Sequence, residues 1–207
     1  MSTRENTVTD IAFSSAKPSF SPLRLQDRSF AWQAIAVIVG SLFLALSSYI
    51  EVPMVPVPVT MQTFAVTLIG ALYGWRLGAL TIAAWLVEAA AGFPVLAGGD
   101  AGVVHFVGPT GGYLFSFPVV GAVVGWLAER GWNGNRVLLA FAAMLIGNLL
   151  CLVLGTAWLA AMIGTEKAIT FGFLPFIVGG LLKSALGAAT LKLLSGYRPR
   201  QSSPGAR

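Results

Sequence analysis

The chain has 207 residues, of which 56% are hydrophobic and only 10% are charged, and its mean hydropathy is +0.79. A soluble domain carries roughly 25% charged residues, so this composition excludes an ordinary water-soluble fold and indicates a protein embedded in lipid. The net charge of +5 lies mostly at the ends of apolar segments. We therefore interpret it as an orientation signal with attraction to anionic lipid, and we exclude nucleic-acid binding.

A polar tail precedes the first apolar segment. Residues 1–28 contain scattered charges and no long apolar core, which is not the pattern of a secretory signal peptide, and we expect a cytoplasmic tail. The first apolar segment, from about Phe30 to Ile50, is long enough to cross a bilayer as a helix. In it Ala36 and Gly40 stand four apart. Small residues at this spacing let a neighbouring helix approach, although an alanine-rich lipid-facing surface explains them equally well.

An apolar segment rich in proline follows, from Glu51 to Thr60. Its prolines are Pro53, Pro56 and Pro58. Proline at this density prevents a helix and favours extended backbone. We expect the segment to lie across the membrane domain or to cap a cavity. Thr60 is the predicted N-cap of the second helix, with Gln62 just inside it.

The second and third apolar segments are separated by a predicted turn, Gly74 to Arg76. The second is short, from about Met61 to Tyr73, and the third extends from about Leu77 to Gly92. Glu88 lies near the end of the third segment. A charge inside a membrane span is costly and often functional, but a position so near the loop also suits the membrane interface.

A glycine-dense loop lies at the centre of the chain, formed by Gly98–Gly102 and Gly108–Tyr113. Glycine lets the backbone turn tightly and approach a ligand closely, and irregular backbone beside a membrane core must be buried or line a cavity. We predict that this loop forms part of a small-molecule pocket, with Gly99, Thr110 and Tyr113 as binding residues. A plain glycine-rich turn between helices is the alternative.

Three further helices are predicted after this loop. They cover about 111–127, 137–163 and 171–194, with a turn at Gly164–Ala168 before the last. Lys183 lies near the middle of the last helix, where a lysine facing lipid costs about 2.5–3.5 kcal/mol. It should face the interior and meet a ligand carboxylate, a helix-terminal carbonyl or a distant acid such as Glu88. Asn148 suits a ligand amide contact or a helix–helix hydrogen bond equally well.

The distribution of basic residues predicts the topology. Of the thirteen, Lys183 lies within the last helix, the opposite loops hold only Lys167, and the other eleven lie in four groups: Arg4, Lys17, Arg24 and Arg28; Arg76; Arg130 and Arg136; and Lys192, Arg198, Arg200 and Arg207. Arg and Lys favour the cytoplasmic side of short loops. The pattern predicts an all-α bundle of six transmembrane helices with both termini in the cytoplasm. The predicted divisions are a tail at 1–28, a membrane domain at 29–195 and a tail at 196–207.

Catalytic and metal-binding motifs are absent from the sequence. It contains no Walker A motif, no Gly-x-Ser-x-Gly elbow and no HExxH. The single histidine, His105, has no neighbouring set of metal-ligating residues, so we predict no metal, no cofactor and no enzyme activity. Aromatic walls, amides and one cation suit a small, mostly apolar acid.

Three ordered motifs resemble the BioY family. They are Val57 to Phe64 (VPVTMQTF), Gly92 to Val95 (GFPV) with Gly98 and Gly99, and Gly108 to Leu114 (GPTGGYL). The resemblance covers the chain from the first apolar segment to the last and leaves out the two tails. The combination of ordered motifs is specific, whereas each one alone is weak.

The resemblance implies a function in vitamin uptake. Members are biotin-binding S components of energy-coupling factor (ECF) transporters, with a six-helix bundle that binds biotin near the outer face. It implies a transmembrane coupling subunit of the EcfT or BioN type, docked near Ala36 and Gly40, and two cytoplasmic ATPases of the EcfA or BioM type. The implied location is the plasma membrane of a bacterium or archaeon. An S component for another vitamin, or a protein of this fold that works without the ATPase module, is the alternative.

One position departs from the family pattern. The last helix of the family often carries Pro-Gly-Asp followed three residues later by Lys. Lys183 matches, but Gly180 stands where the acid is expected. The contribution of that acid to the site must therefore be absent or supplied by another residue.

Overall fold

The computed structural model describes Leu25 and residues 28–196, so the predicted tails lie almost wholly outside the described residues. Its helices are α1 Phe30–Ser48, α2 Gln62–Ala90, α3 Val104–Val107, α4 Gly111–Glu129, α5 Val137–Ile163, α6 Thr165–Ala168 and α7 Leu174–Gly196. In this part of the chain, five helical segments are long and apolar enough to cross a membrane, namely α1, α2, α4, α5 and Thr165–Gly196. The chain is a helical, multi-pass membrane protein.

The segment α2 is a hairpin of two helical halves. Gly74 has φ 80° and ψ 174°, which is not helical, and it divides α2 into residues 62–73 and 75–90. In a straight helix, residues eight apart lie about 12 Å apart. Here a Cβ built on Gly78 would lie 3.0 Å from the Cα of Gly70, so the halves fold back on each other. The predicted turn at Gly74 is therefore present.

Glycines allow this hairpin to pack closely against α4. A Cβ on Gly70 would lie 2.4 Å from the carbonyl oxygen of Gly121, and a Cβ on Gly125 would lie 2.6 Å from the backbone nitrogen of Trp75. Backbone meets backbone at both points, which is how helices associate when lipid removes the hydrophobic drive between them. The α2 hairpin and α4 thus form the most closely packed part of the bundle.

The proline-rich segment forms a short β-hairpin. Strands β1 Glu51–Val52 and β2 Val59–Thr60 pair antiparallel, with Glu51 opposite Thr60. The fold is mostly helical, as predicted, and this short hairpin is an addition that the sequence did not predict. Pairing at its two ends satisfies backbone groups of the proline-containing loop. Helix α2 begins at Gln62 with Met61 as the N-cap residue, one position after the predicted Thr60.

The two unusual loops lie at the same end of the bundle, which we call the loop end. The Tyr49 hydroxyl donates to the Pro94 carbonyl at 2.6 Å, and the Trp158 indole nitrogen donates to the Gly108 carbonyl at 3.0 Å. At the opposite end, the Trp75 backbone nitrogen donates to Glu129 Oε1 at 3.2 Å. The grouping of loops is as the charge pattern predicted, while the side of the membrane that each end faces stays a prediction.

The last apolar segment begins earlier than predicted. Residues 164–168 were expected to form a turn, but the helix resumes at Thr165 immediately after Gly164, which has φ 87°. A π-helical turn, Ile169–Phe173, joins α6 to α7, and the Leu174 backbone nitrogen donates to the carbonyl of Ile169, five residues back. A single glycine with positive φ is enough to end α5 and reverse the chain.

Candidate functional site

A small cavity lies inside the bundle at the loop end. Its volume is about 50 Å³. It is lined by Val57, Pro58, Thr60, Gln62, Thr63, Thr110, Tyr113, Leu114, Phe117, Cys151, Leu152, Phe176 and Lys183. The structure therefore brings together five of the predicted binding residues, from three separate parts of the sequence: Thr60, Gln62, Thr110, Tyr113 and Lys183.

Lys183 is held by the start of the α2 hairpin. Its side chain is only 8% exposed, and its ammonium donates to the carbonyl oxygen of Thr60 at 2.6 Å and to the Thr63 hydroxyl at 3.2 Å. Within residues 28–196 no carboxylate lies within ion-pair distance of it. A buried ammonium with only neutral acceptors is incompletely compensated, so an arriving anionic or strongly polar group is a favourable partner.

Glu88 is not the partner of Lys183. Its carboxylate accepts a hydrogen bond from the Ser41 hydroxyl of α1. The oxygens that accept from Lys183, the Thr60 carbonyl of β2 and the Thr63 hydroxyl, are not among the partners that the sequence left open, and a ligand carboxylate stays a prediction. The alternative in which the distant acid Glu88 pairs with Lys183 is wrong.

The predicted amide of Gln62 is fixed by a chain of hydrogen bonds. Its nitrogen Nε2 donates to the Ser48 hydroxyl at 3.1 Å, and its oxygen Oε1 accepts from the Thr60 hydroxyl at 3.0 Å. The end of α1, the strand β2 and the start of α2 are thereby tied together. This chain orients one wall of the cavity, and it leaves the amide near the lysine.

Tyr113 forms the opposite wall. Its ring stacks on Phe176 with centroids 6.1 Å apart, and its hydroxyl donates to the carbonyl of Gly172 at 2.8 Å. A Cβ built on Gly155 would lie 2.1 Å from the ring. The absence of a side chain at Gly155 is therefore what makes room for the Tyr113 ring.

Replacing Gly155 by alanine should displace this wall. The added methyl group cannot coexist with the Tyr113 ring in its present position, since contacts under 3.0 Å force one group to move. We expect the thermal midpoint to fall and binding of the cognate ligand to weaken by roughly 5- to 10-fold, measured on detergent-solubilised protein. Ala157→Val, which adds volume on an exposed surface of the same helix, should change neither quantity. Unchanged binding in Gly155→Ala would show that the ring position is unimportant.

A larger outer groove adjoins the cavity. It has a volume of about 780 Å³ and lies between the β-hairpin loop and the segment 97–110, and it shares Pro58 and Thr110 with the inner cavity. Its lining includes the acidic residues Glu51 and Asp100 and the histidine His105, whose Nε2 lies 3.8 Å from Asp100 Oδ2. The groove gives a route from the loop end to the cavity. No group of three or more candidate metal ligands occurs in the described region.

Two predicted binding residues lie away from the inner cavity. The Asn148 amide donates to the Met144 carbonyl at 3.0 Å and to the Ser184 hydroxyl at 3.1 Å, which is the helix–helix use that the sequence left open. Gly99 belongs to a 3-10 turn, and a Cβ built on it would lie 3.3 Å from the Tyr49 ring. Neither residue lines the cavity in this structure.

Ala36 and Gly40 have an intramolecular role. The Tyr73 hydroxyl donates to the Ala36 carbonyl at 3.0 Å, and a Cβ on Gly40 would lie 2.6 Å from Thr81 Cγ2. Both residues are buried against the α2 hairpin. These small side chains serve packing within the chain, and their role in docking a coupling subunit stays a prediction.

Sequence reasoning missed several lining residues. Thr63, Phe117, Cys151 and Phe176 all line the cavity. A signal existed for Phe176, which lies seven residues before Lys183 and so shares its helix face. Thr63 lies within the Val57 to Phe64 motif, which is a signal for it. For Cys151 the sequence offered no comparable signal, because its role depends on how separate helices meet.

Comparison with known proteins agrees with this architecture. The family model described as "BioY family" matches residues 17–200. A protein of Pyrococcus horikoshii named "Probable biotin transporter BioY" is 37% identical over 139 residues, which cover 66% of this chain and 81% of that protein. A protein of Rickettsia prowazekii with the same name is 32% identical over 149 residues, which cover 70% and 74%.

A solved structure shares the fold. It is described as "Crystal structure at 2.1 A of the S-component for biotin from an ECF-type ABC transporter" and matches with a TM-score of 0.72. The match covers 83% of this chain and 96% of that one, at 22% identity. At this identity the likeness concerns the fold, while the family model covers most of the sequence, including every residue that lines the cavity. The chain belongs to the BioY family.

Proposed function

We propose that this chain is the biotin-binding membrane subunit of a vitamin uptake transporter. It captures biotin at the loop end and delivers it inward with an ATP-driven module. The family match supports this function, as do the names of the relatives and the fold of the biotin S component. The observation on this chain that carries it is Lys183, a buried ammonium that faces a cavity without an acidic partner among the described residues.

The chemistry of the cavity matches that of biotin. Biotin is a small acid with an apolar chain, a bicyclic ring and a ureido group that both donates and accepts hydrogen bonds. Tyr113, Phe117 and Phe176 supply aromatic walls, while Gln62 and Thr60 supply an amide and a hydroxyl. Lys183 can donate to the carboxylate or to the ureido oxygen. We assign ligand contacts to Lys183, Gln62, Tyr113, Thr60 and Thr110.

Binding requires the cavity to widen. Pockets that hold small ligands have volumes of roughly 300–1000 Å³, and the inner cavity has about 50 Å³. The outer groove of about 780 Å³ meets it at Pro58 and Thr110. We infer that biotin enters through the groove and separates these two residues. The groove, the short β-hairpin and the glycine loop together make this entrance.

Because Gly180 stands where the family acid is expected, no carboxylate at this position faces Lys183. A Cβ on Gly180 would lie 3.7 Å from the Asn148 Cβ, an ordinary contact, so a side chain there would sit beside the Asn148 amide. Asn148 is the residue placed to supply a polar group on this side of Lys183. We propose that Asn148 replaces the family acid once the cavity widens. Gly99 remains a candidate ligand-binding residue near the outer groove.

The partners follow from the same proposal. A transmembrane coupling subunit and two cytoplasmic ATPases would complete the transporter in the plasma membrane of a bacterium or archaeon. ATP hydrolysis would take place on those ATPases, and this chain would act as the substrate-binding subunit. The proposed topology has six membrane segments, with the α2 hairpin supplying two, and both termini in the cytoplasm.

Equilibrium binding of biotin to the detergent-solubilised chain tests the proposal. We expect saturable binding with one site per chain by isothermal titration calorimetry. Competition with thiamine and riboflavin distinguishes an S component for another vitamin, since a preferred competitor would identify the ligand. No binding of biotin at millimolar concentration would contradict the proposed function. Uptake of labelled biotin into proteoliposomes holding this chain alone would favour a protein that works without the module.

A further inference from the structure

The carbonyl of Gly172 accepts hydrogen bonds from two hydroxyl groups on neighbouring helices. Tyr113 Oη on α4 donates to it at 2.8 Å, and Thr156 Oγ1 on α5 donates at 3.3 Å. The two hydroxyls lie 3.4 Å from each other. Gly172 belongs to the π-helical turn that begins the last membrane segment. Three separate helical segments therefore converge on one backbone oxygen.

This convergence occurs where the last segment changes its helical geometry. A π-helical turn has poorer backbone geometry than an α-helix and is often found beside functional sites. A Cβ on Gly172 would lie 2.6 Å from the Tyr113 hydroxyl, so only glycine lets the two hydroxyls reach the carbonyl. The position of the turn is thus set by side chains outside its own helix.

The π-helical turn then determines the position of two residues that line the cavity. Phe176 and Lys183 follow the turn in α7 and lie seven residues apart, which at about 100° per residue places them within roughly 20° of each other on one helix face. Phe176 also stacks on Tyr113, and Lys183 reaches across to Thr60. A rotation of α7 at the π-helical turn would move both side chains relative to the fixed walls on α2 and α4.

We propose that Thr156, together with the hydroxyl of Tyr113, is a positioning residue for ligand binding, acting through the carbonyl of Gly172 to hold α7 in register. Thr156 does not line the cavity, and its effect on the ligand is transmitted by Phe176 and Lys183. The inference rests on the proposed function for its ligand. The structural part of the inference, that these hydroxyls fix the register of α7 against α5, does not depend on a ligand.

Substitutions that remove one hydroxyl at a time test this role. Thr156→Val and Tyr113→Phe each keep the volume, and each should weaken biotin binding by roughly 3- to 10-fold. Thr156→Ser restores the hydroxyl and should bind within twofold of the wild type. Thr170→Val is the matched control, because Thr170 lies in the same turn but donates within its own helix, to the Glu166 carbonyl at 2.9 Å. It should bind like the wild type.

A distance measurement tests the register without biotin. Spin labels at Leu154→Cys on α5 and Leu182→Cys on α7, in a Cys151→Ser background, report the separation of the two helices through their exposed surfaces. We expect a broader or shifted distance distribution in Thr156→Val and Tyr113→Phe, with no change in Thr156→Ser and Thr170→Val. Identical distributions in all variants would overturn the positioning role, even if biotin binds. Absence of biotin binding to the wild type would instead refute the proposed function.

Discussion

Replacing Lys183 by methionine is expected to weaken biotin binding by at least about 30-fold, or roughly 2 kcal/mol. Methionine keeps most of the length of the side chain and removes only the charge and the donors. A ligand acceptor that enters the cavity would then lose its charged partner while remaining desolvated. Isothermal titration calorimetry on the purified variant measures the loss. Lys183→Ala should show at least the same loss, with an added cavity.

The stability of the Lys183 variant provides the control. A buried ammonium without an acidic partner is costly to the fold, so its replacement by an apolar group of similar size should leave the thermal midpoint of the ligand-free protein unchanged or raise it. Lys192→Met, which changes an exposed lysine on the same helix, should bind biotin like the wild type. Tight binding by a stable Lys183→Met variant would remove this residue from the site.

Replacing Gly70 by valine is expected to destabilise the bundle by about 1–3 kcal/mol or more. Its Cβ would lie 2.4 Å from the Gly121 carbonyl oxygen and 3.0 Å from the Gly121 Cα, so backbone rather than a flexible side chain opposes it. The first half of the α2 hairpin must then move away from α4. Thermal unfolding in detergent should show a midpoint lower by roughly 5–10 °C.

A second glycine separates steric crowding from a general loss of glycine. Gly196→Ala adds a methyl group where no heavy atom lies within 4 Å, and it should leave the midpoint unchanged. If Gly70→Val unfolds at the wild-type temperature, the close approach of α2 and α4 does not contribute to stability.

Much of the helical architecture was predictable because membrane helices are local structures. Each must satisfy its own backbone hydrogen bonds and be apolar for about 20 residues, so continuous apolar segments mark them. Helix α5 spans the predicted residues 137–163. The reversal at Gly74 was also foreseeable, because glycine followed by an aromatic and a basic residue interrupts an otherwise apolar segment.

The short strands and the π-helical turn were not foreseeable in the same way. The pairing of Glu51 with Thr60 depends on the path of the whole proline loop, and four residues are too few to give a periodic pattern. A turn was predicted at 164–168, yet Thr165–Ala168 is helical, with the charged side chains of Glu166 and Lys167 exposed and Ala168 buried. The polarity of a short segment therefore does not distinguish a turn from a regular element with exposed polar side chains.

The site was predictable as a set of candidates and unpredictable as an arrangement. Motif identity pointed to Thr60, Gln62, Thr110, Tyr113 and Lys183, and the family assignment followed from the order of the motifs. The Lys183 ammonium donates to oxygens that lie 120 residues or more away in the sequence. These contacts depend on how α7 packs against the start of α2. The burial of Ala36 and Gly40 has the same origin, since helix spacing reveals a close contact without naming the partner.

The amino-acid sequence alone identified the lipid environment, the helical segments and the family of this protein, because hydropathy and ordered motifs are properties of contiguous residues. The packing of helices against one another was needed for the rest: the cavity, the partners of its lysine and the π-helical turn held by Tyr113 and Thr156. These features join residues far apart in the chain. Their energies arise from shape and hydrogen bonding between segments, which no single segment encodes.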